Sequence, residues 1–303
     1  MAMFRRIKET PILGQDDMPF SCAAVYNPGA TRQDGETVLL LRVEDRAGHS
    51  DIYVARSGDG VDDWRVEAEP LLRHGEPGLP YESWGVEDPR VTWFEDDACW
   101  YITYTASSSY GPTVALARTY DFQQVERLGM LLPPTNKDAV LLPSKHRGHY
   151  MMLHRPEYGD LEHIWSARSP DLMHWGEPWC LILERSGPAW DAHKVGSGPP
   201  PILTEKGWLL FFHGAKNYGN RLVYRVGVAL LDRDQPGKQA QRYDRWLLQA
   251  EAPYEHQGLS PGVVFPSGLV HKGDELWLYY GAADSTVGLA VCDYHEVLSL
   301  FDT

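Results

Sequence analysis

Short runs of apolar and β-branched residues, closed by Gly, Pro or Asp, recur along the whole chain and predict β-strands rather than helices. One family of runs ends in a small-residue signature followed by a turn. Its aligned alanines are Ala55, Ala117, Ala167, Ala229 and Ala290. Their spacing of about sixty residues is too long for one hairpin and suits a four-stranded repeat unit with long loops.

A second family of runs precedes the first in every unit, at 37–45, 100–107, 149–156, 208–215 and 276–284. Each run passes into a polar position: Arg42, Thr105, His154 with Arg155, His213, and Asp284. Five repeats predict an all-β fold, a five-bladed β-propeller forming one domain over residues 1–303, with these strand ends at one central mouth. The alternative is a β-sandwich whose repeats are accidental.

The net charge of the chain and its apolar segments limit the partners and the location that we expect for the protein. The formal net charge of -14 repels polyanions, so we expect neither nucleic acid nor an anionic membrane surface as a partner. The N-terminus lacks the apolar run of a signal peptide, and no stretch is apolar enough to span a bilayer, which predicts a cytoplasmic protein. Four cysteines, Cys22, Cys99, Cys180 and Cys292, lack metal-ligand spacing, so no metal site is expected. The sequence does not decide the oligomeric state, and a homo-oligomer is compatible with it.

The segment SWGVEDPRVT (83–92) places Glu87 and Asp88 before Pro89, where we expect extended backbone. A carboxylate fixed on a rigid turn is suited to act as a general acid. The alternative is an ordinary acidic turn residue.

Four basic residues form a second group: Lys137, Arg155, Lys194 and His213. Bringing them to one strand-end face would be unfavourable unless an anion such as phosphate or a carboxylate binds there. The alternative is separate ion pairs with Asp138, Glu157 and Asp191.

The stretch GSGPPP (196–201) predicts a rigid loop at the mouth. Five loop aromatics could stack on sugar faces or pack in the core: Tyr81, Trp84, Tyr110, Trp190 and Tyr218.

With these segments in view, the chain resembles glycoside hydrolase family 130, the β-mannoside phosphorylases and related mannosidases. The resemblance runs in order over nearly the whole length. It is carried by FSCAAVYNPGA (20–30), LLLRVEDRAGHSDI (39–52), GVEDPRVT (85–92), NKDAVLLP (136–143), LHRP (153–156), KVGSGPPPI (194–202), LLFFHG (209–214) and GAADSTVGLA (281–290).

The resemblance implies a five-bladed propeller. It implies that Asp88 is the proton donor and acts through a sugar hydroxyl. Arg155, Lys194 and His213 match positions that hold phosphate, and Lys137 falls where phosphorylases have a basic residue. The sugar-side positions it implies are Asn27, Arg42 and Asp284, and further candidate substrate-binding residues are Glu87, Arg90 and Tyr218.

An inverting glycosidase needs an acid and a base, whereas an inverting phosphorylase needs the acid and a cationic cradle for phosphate. The basic residues therefore favour an inverting β-mannoside phosphorylase that releases α-mannose 1-phosphate, with inorganic phosphate as co-substrate and no cofactor or metal. The alternatives are an inverting β-mannosidase and a non-catalytic glycan-binding propeller. The linkage of the substrate, β-1,4 or β-1,2, and the identity of the acceptor sugar depend on loops 73–84, 107–112 and 216–221. The sequences of these loops contain no pattern from which either could be predicted.

Overall fold

The computed structural model describes residues 3–159, 162–219 and 221–302, whose regular secondary structure is almost entirely β-strand. The predicted all-β class is confirmed. The described strands form five consecutive antiparallel meanders, numbered here in chain order. Both predicted strand families are present in every meander, one as the second strand and the other as the third, when the two short strands that open the fourth meander are counted as one first strand.

The chain begins with β1 (Arg5–Arg6), which belongs to the fifth meander. The first meander contains β2 (Ala24–Gln33), β3 (Glu36–Glu44), β4 (Ser50–Ser57) and β5 (Arg65–Val66). The second contains β6 (Gly85–Phe94), β7 (Cys99–Ser107), β8 (Thr113–Thr119) and β9 (Glu126–Met130). One parallel contact between Ser50 and Gly85 joins these two meanders into a single sheet.

The remaining meanders are separate sheets. The third contains β10 (Asn136–Leu141), β11 (Tyr150–Pro156), β12 (Ile164–Ser169) and β13 (Gly176–Ile182). The fourth contains β14 (Lys194–Ser197), β15 (Ile202–Leu203), β16 (Trp208–Asn217), β17 (Leu222–Leu231), β18 (Ala240–Arg242) and β19 (Leu248–Gln249). The fifth contains β20 (Val264–Lys272), β21 (Glu275–Ala282) and β22 (Thr286–Asp293), with β1 as its fourth strand.

Helices are few and short. Among the residues that the structure describes, three 3-10 turns occur at Gln15–Asp17, Pro80–Glu82 and Pro253–His256, and one α-helix, α1 (Tyr294–Ser299), follows the last strand. The Asp293 side chain caps α1 by accepting a hydrogen bond from the Glu296 backbone nitrogen at 2.8 Å. No helix in the described ranges is long and apolar enough to cross a membrane.

The core lies between meanders. Leu39 and Leu41 of β3 pack in a cluster with the fifth meander, whereas Val38 and Leu40 of the same strand pack against the second. Similar clusters lie between the second and third, the third and fourth, and the fourth and fifth meanders. Both faces of these strands are therefore buried, which explains their continuous apolar runs.

The first and last meanders are neighbours, since β2 contacts β20 and the cluster around Leu39 includes Leu289 of β22. None of the sheets formed by the described residues closes on itself. Strand β1 adds the N-terminal residues to the edge of β22, with Arg5 opposite Val291 and Arg6 opposite Ala290. The sequence patterns did not predict this strand.

Candidate active site

Three neighbouring first strands carry a β-bulge at the same level. The register shifts between Tyr26 and Gly29 in β2, between Glu87 and Arg90 in β6, and between Lys137 and Val140 in β10. A β-bulge redirects the side chains at its centre. The central residues here are Asn27, Asp88 and Asp138, with φ of +46°, +49° and +52°.

Asp88 therefore differs from the extended conformation that we predicted for a residue before proline. It occupies the left-handed region, which Asp and Asn tolerate better than other side chains. The prediction was wrong because it considered the constraint from Pro89 but not the bulge, which turns the carboxylate toward two hydrogen-bond donors.

The bulges face a cavity of about 480 Å³ at one end of the first strands. Its walls combine acidic, basic and aromatic side chains from all five meanders. The predicted site residues that line it are Asn27, Arg42, Asp88, Lys137, Arg155, Lys194 and Asp284.

The Asp88 carboxylate is held by two donors. Its Oδ1 accepts hydrogen bonds from Asn27 Nδ2 at 2.8 Å and from Arg42 Nη1 at 3.1 Å. Burial acts to raise the pKa of Asp88, but the guanidinium groups of Arg42 and Arg90 and the Asn27 hydrogen bond outweigh it, so the pKa lies below its ordinary value. Asp88 is thus a carboxylate at neutral pH before any ligand binds.

Arg42 joins Asp88 to a second carboxylate. Its Nη1 is 3.1 Å from Oε2 of Glu87, its Nε donates to the Ser50 hydroxyl at 3.0 Å, and its guanidinium lies 4.7 Å from the Tyr26 ring centroid. Burial raises the pKa of Glu87, and the neighbouring Asp88 charge raises it further. Glu87 does not line the cavity, so it acts here as a partner of Arg42.

The predicted basic residues converge, and each also has an acidic partner. Arg155 Nη1 is 3.1 Å from Asp138 Oδ2, and Arg155 Nη2 is 3.2 Å from Glu162 Oε2. Lys194 Nζ lies 3.2 Å from Glu162 Oε1. Lys137 Nζ lies 2.8 Å from Glu157 Oε1. Burial lowers the pKa of Lys194, as does the nearby Arg155 charge.

Two of the carboxylates named in the ion-pair alternative, Asp138 and Glu157, do contact these cations, but each is shared by more than one of them, and Asp191 contacts none. That carboxylate is buried between Arg185, at 2.6 Å, and Arg242, at 3.1 Å. Lys194 pairs instead with Glu162, which it shares with Arg155. The cations thus form one linked cluster rather than isolated pairs.

His213 lies beneath the cavity rather than in its wall. It is fully buried, with Nε2 3.3 Å from Asp138 Oδ2 and its ring 4.5 Å from the Phe265 ring. Burial lowers the pKa of His213, although Asp138 opposes that effect. His213 is therefore neutral at neutral pH and contacts the cluster through Asp138 and Arg155, whose Nη1 is 3.3 Å from His213 Nε2.

Arg90 is also buried below the cavity. Its Nε donates to the Gly198 carbonyl at 3.1 Å, another guanidinium nitrogen donates to the Asp88 carbonyl, and its guanidinium lies 5.2 Å from the Phe265 ring centroid. Arg90 therefore connects β6 to the loop after β14. It contacts the backbone of Asp88 rather than the space that a substrate would occupy.

Two predicted substrate-binding residues, Asp284 and Tyr218, have different positions. Asp284, with φ +51°, lines the cavity. The pKa of its carboxyl lies above its ordinary value, because burial and the Asp88 charge outweigh the opposing effect of a hydrogen bond with Ser260. Tyr218 is half exposed at the turn after β16 and does not line the cavity. Its hydroxyl accepts a hydrogen bond from Arg225 Nη1 at 3.4 Å. The predicted acceptor segment 216–221 includes residue 220, which lies outside the described residues.

Thr105 and His154, the other polar strand-end residues, do not line the cavity. Both are buried, and His154 Nδ1 lies 3.1 Å from Asn136 Oδ1. Of the loop aromatics, Trp84 and Tyr110 are exposed, whereas Trp190 is buried against Phe212.

The GSGPPP stretch was expected at the mouth, but the structure corrects this. Pro200 and Pro201 line a different cavity of about 900 Å³, together with Trp93 and Trp100 at the other end of the first strands. Lys194, at the start of β14, lines the first cavity, and β14 leads the chain away from that cavity before these prolines.

Sequence reasoning missed several cavity or near-cavity residues. Asp138 was predicted only as an ion-pair partner of the basic residues. The segments YNP (26–28), VEDP (86–89) and NKDA (136–139) can be aligned so that Asn27, Asp88 and Asp138 coincide, and this alignment could have identified Asp138 as a site residue. Tyr224 and Ser260 line the cavity without any motif. Glu162 contacts the cations from an irregular segment that carries no readable pattern.

Comparisons with known proteins show the family to which this chain belongs. The chain belongs to glycoside hydrolase family 130, whose model, described as beta-1,4-mannooligosaccharide phosphorylase, matches residues 4–303. It is 33% identical to the 1,2-beta-oligomannan phosphorylase of Thermoanaerobacter sp. (strain X514), over 98% of this chain and 99% of the relative. It is 30% identical to the beta-1,4-mannooligosaccharide phosphorylase of Ruminococcus albus, over 97% and 89%.

The fold is also similar to a solved structure, the beta-1,2-mannobiose phosphorylase of Listeria innocua in complex with beta-1,2-mannobiose. The TM-score is 0.89 at 30% identity, with 98% of each chain covered. The chain is accordingly an enzyme of the mannoside phosphorylase kind, and the non-catalytic alternative is set aside.

Proposed function

We propose that this enzyme is an inverting β-mannoside phosphorylase, which cleaves a β-mannosidic bond with inorganic phosphate and releases α-mannose 1-phosphate. The observation that carries the proposal is that Arg155 and Lys194 line the same cavity as Asp88. An acid and a cationic cradle facing one space are what phosphorolysis with inversion requires.

We also propose that the five meanders are the blades of a β-propeller forming one catalytic domain. The support is the cyclic order of the apolar clusters, each lying between consecutive meanders and one joining the last meander to the first. β1 would then complete the last blade with residues from the chain's beginning. In this arrangement the bulges of β2, β6 and β10 face the axis.

Phosphate would bind between Arg155 and Lys194. Arg155 Nε is buried and has no hydrogen-bond partner among the described residues, so a phosphate oxygen would satisfy a donor that otherwise costs free energy. Lys137 would add charge from the rim. His213 and Asp138 would orient Arg155 from below, because both contact its Nη1.

Asp88 would be the proton donor, acting through a sugar hydroxyl. The pKa of Asp88 is lowered in the protein without a ligand. A phosphate anion that binds in the same cavity would raise this pKa, since a nearby like charge disfavours the ionised form. Phosphate binding would thus favour proton uptake by Asp88. Asn27, Arg42 and Asp284 would contact the sugar next to the cleaved bond.

A β-mannosidase on the same fold is the second candidate, and one observation favours it. Glu157 and Glu162 lie within 3.6 Å of the Arg155 guanidinium, so carboxylates stand among the cations where a hydrolase would need a base for water. The cationic partners favour phosphate as the nucleophile, because they reduce the basicity of the Glu162 carboxylate. Arg155 and Lys194 in fact lower the pKa of Glu162 despite the opposing effect of burial.

The test is a panel of β-1,2- and β-1,4-linked mannobiosides incubated with and without phosphate, with the products identified. We expect α-mannose 1-phosphate only when phosphate is present. The linkage that supports turnover would identify the substrate. Free mannose at equal rates in both conditions would favour the hydrolase.

A further inference from the structure

The carboxylate of Glu255 is a buried hub outside the reaction machinery. It belongs to the 3-10 turn Pro253–His256 and is fully buried. Oε1 accepts from the Tyr280 hydroxyl at 2.7 Å and from Arg6 Nε at 2.8 Å. Oε2 accepts from Arg6 Nη2 at 2.7 Å and from the backbone nitrogens of Glu251 and Ala252 at 2.6 and 2.8 Å. These five donors, two of which belong to the forked Arg6 guanidinium, fix its position.

Arg6 reaches this hub from the N-terminal strand. β1 is anchored on β22, with Arg6 opposite Ala290, and the buried Phe4 ring lies 5.7 Å from the Phe211 ring of β16. Arg6 Nη2 also donates to the Gln249 carbonyl at 2.6 Å. The beginning of the chain is thus tied to the segment that precedes the 3-10 turn.

The residues that follow Glu255 form a wall of the cavity. The Gly262 backbone nitrogen donates to the Glu255 carbonyl at 2.8 Å, which closes the segment into a compact loop. Leu259, Ser260 and Pro261 of this loop line the cavity. The Ser260 nitrogen donates to the Ala283 carbonyl at 2.9 Å, next to Asp284. A shift of Glu255 would therefore move the wall beside Asp284.

Tyr280 extends the hub toward Asp88. The next residue, Gly281, packs so closely against Asn27 that a Cβ atom there would lie 1.8 Å from Asn27 Oδ1. Asn27 in turn donates to Asp88. The hydrogen bond between Tyr280 and Glu255 therefore supports the strand position on which the Asn27 contact depends.

We propose that Arg6 and Glu255 are positioning residues that set the mannoside side of the cavity, so that the N-terminal strand tunes sugar binding. The inference rests on the proposed function. Arg155 lies on β11 in the third meander, and Lys194 lies on β14, at the opposite edge of the fourth sheet from β19, whose Gln249 carbonyl Arg6 contacts. Loss of the Arg6 fork should therefore weaken use of the mannoside while leaving use of phosphate nearly unchanged.

The test compares Arg6→Gln with Arg6→Lys and with Arg5→Ala, a control on the same strand at an exposed position. KM for mannobioside and for phosphate are measured separately with kcat, and mannobioside affinity is measured by calorimetry without phosphate. For Arg6→Gln we expect mannobioside KM and Kd to rise on the order of tenfold, since small displacements of positioning groups are costly. Phosphate KM should change less than about twofold, which is the pattern of a lost ground-state contact on one substrate.

Arg6→Lys should recover part of the affinity, because an ammonium replaces the charge but not the forked geometry. Arg5→Ala should match the wild type. If Arg6→Gln does not fold, Tyr280→Phe removes one donor without changing charge and should show a smaller shift in the same direction.

An unchanged mannobioside Kd in a folded Arg6→Gln protein, or an equal loss for both substrates, would overturn the inference. Failure of the proposed function is visible separately, as wild-type turnover that does not depend on phosphate. The calorimetric comparison of mannobioside affinity would still test Arg6 in that case.

Discussion

Asn27 Nδ2 donates a hydrogen bond to Asp88 Oδ1 over 2.8 Å, although the two residues lie 61 positions apart in the chain. Each is at the centre of a bulge in the first strand of its meander, and each has left-handed backbone. The contact exists because the bulges of β2 and β6 lie at one level. It stabilises the ionised form of Asp88 and so tunes the proposed proton donor.

Asp88→Asn should fold normally, because Asn tolerates the left-handed backbone and has nearly the same shape. We expect kcat to fall by about 10²- to 10⁴-fold, the usual contribution of a general acid. The measurement is steady-state kinetics beside a thermal melt. Glu87→Gln is the matched control with a smaller expected loss, since Glu87 lies behind Arg42. Near wild-type turnover by Asp88→Asn would refute the assignment.

Asn27→Gly removes the hydrogen bond to Asp88 without adding backbone strain, because glycine adopts the left-handed region freely. Losing a donor to the carboxylate should raise the pKa of Asp88. If Asp88 must be protonated to donate, the alkaline limb of kcat/KM should move to higher pH, which a pH–rate profile measures. Asp34→Gly, at an exposed position with φ +50°, is the control. A shift to lower pH would contradict this account.

Most of the strands could be predicted from the sequence, because strands that are buried on both faces contain long apolar runs. The second and third strands of every meander are covered on both faces, as with Leu39 and Leu40, so their patterns were recognisable. The fourth strands are different: β5 and β1 are each two residues long at a sheet edge, and edge strands need little apolar sequence.

The site was partly readable for a similar reason. Arg42, Arg155 and Asp284 occur where apolar runs become polar, and those positions line the cavity. Whether a polar strand-end residue faces the cavity depends on local register and bulges. Thus Arg155 faces it, whereas the adjacent His154 is buried toward Asn136. Glu162 and Ser260 come from loops, whose positions depend on tertiary contacts rather than on periodicity.

His154 should make stability depend on pH. Burial lowers its pKa from 6.5 to about 4, so between these values the unfolded chain binds more protons than the folded one. The free energy of unfolding should therefore fall as pH drops through this window, by about 3 kcal/mol from this residue. Denaturant melts of wild type and His154→Gln check it. The variant should show a shallower dependence, and parallel curves would exclude His154 as the cause.

The most direct test of the phosphorylase proposal is the initial rate of β-mannoside cleavage against phosphate concentration, for wild type and Arg155→Ala. The wild type should saturate with phosphate and form mannose 1-phosphate. Arg155→Ala loses a charge-assisted contact of about 1.5–3 kcal/mol and should need roughly ten to a hundred times more phosphate. A wild-type rate that is flat with phosphate, with free mannose as the sole product, would contradict the account.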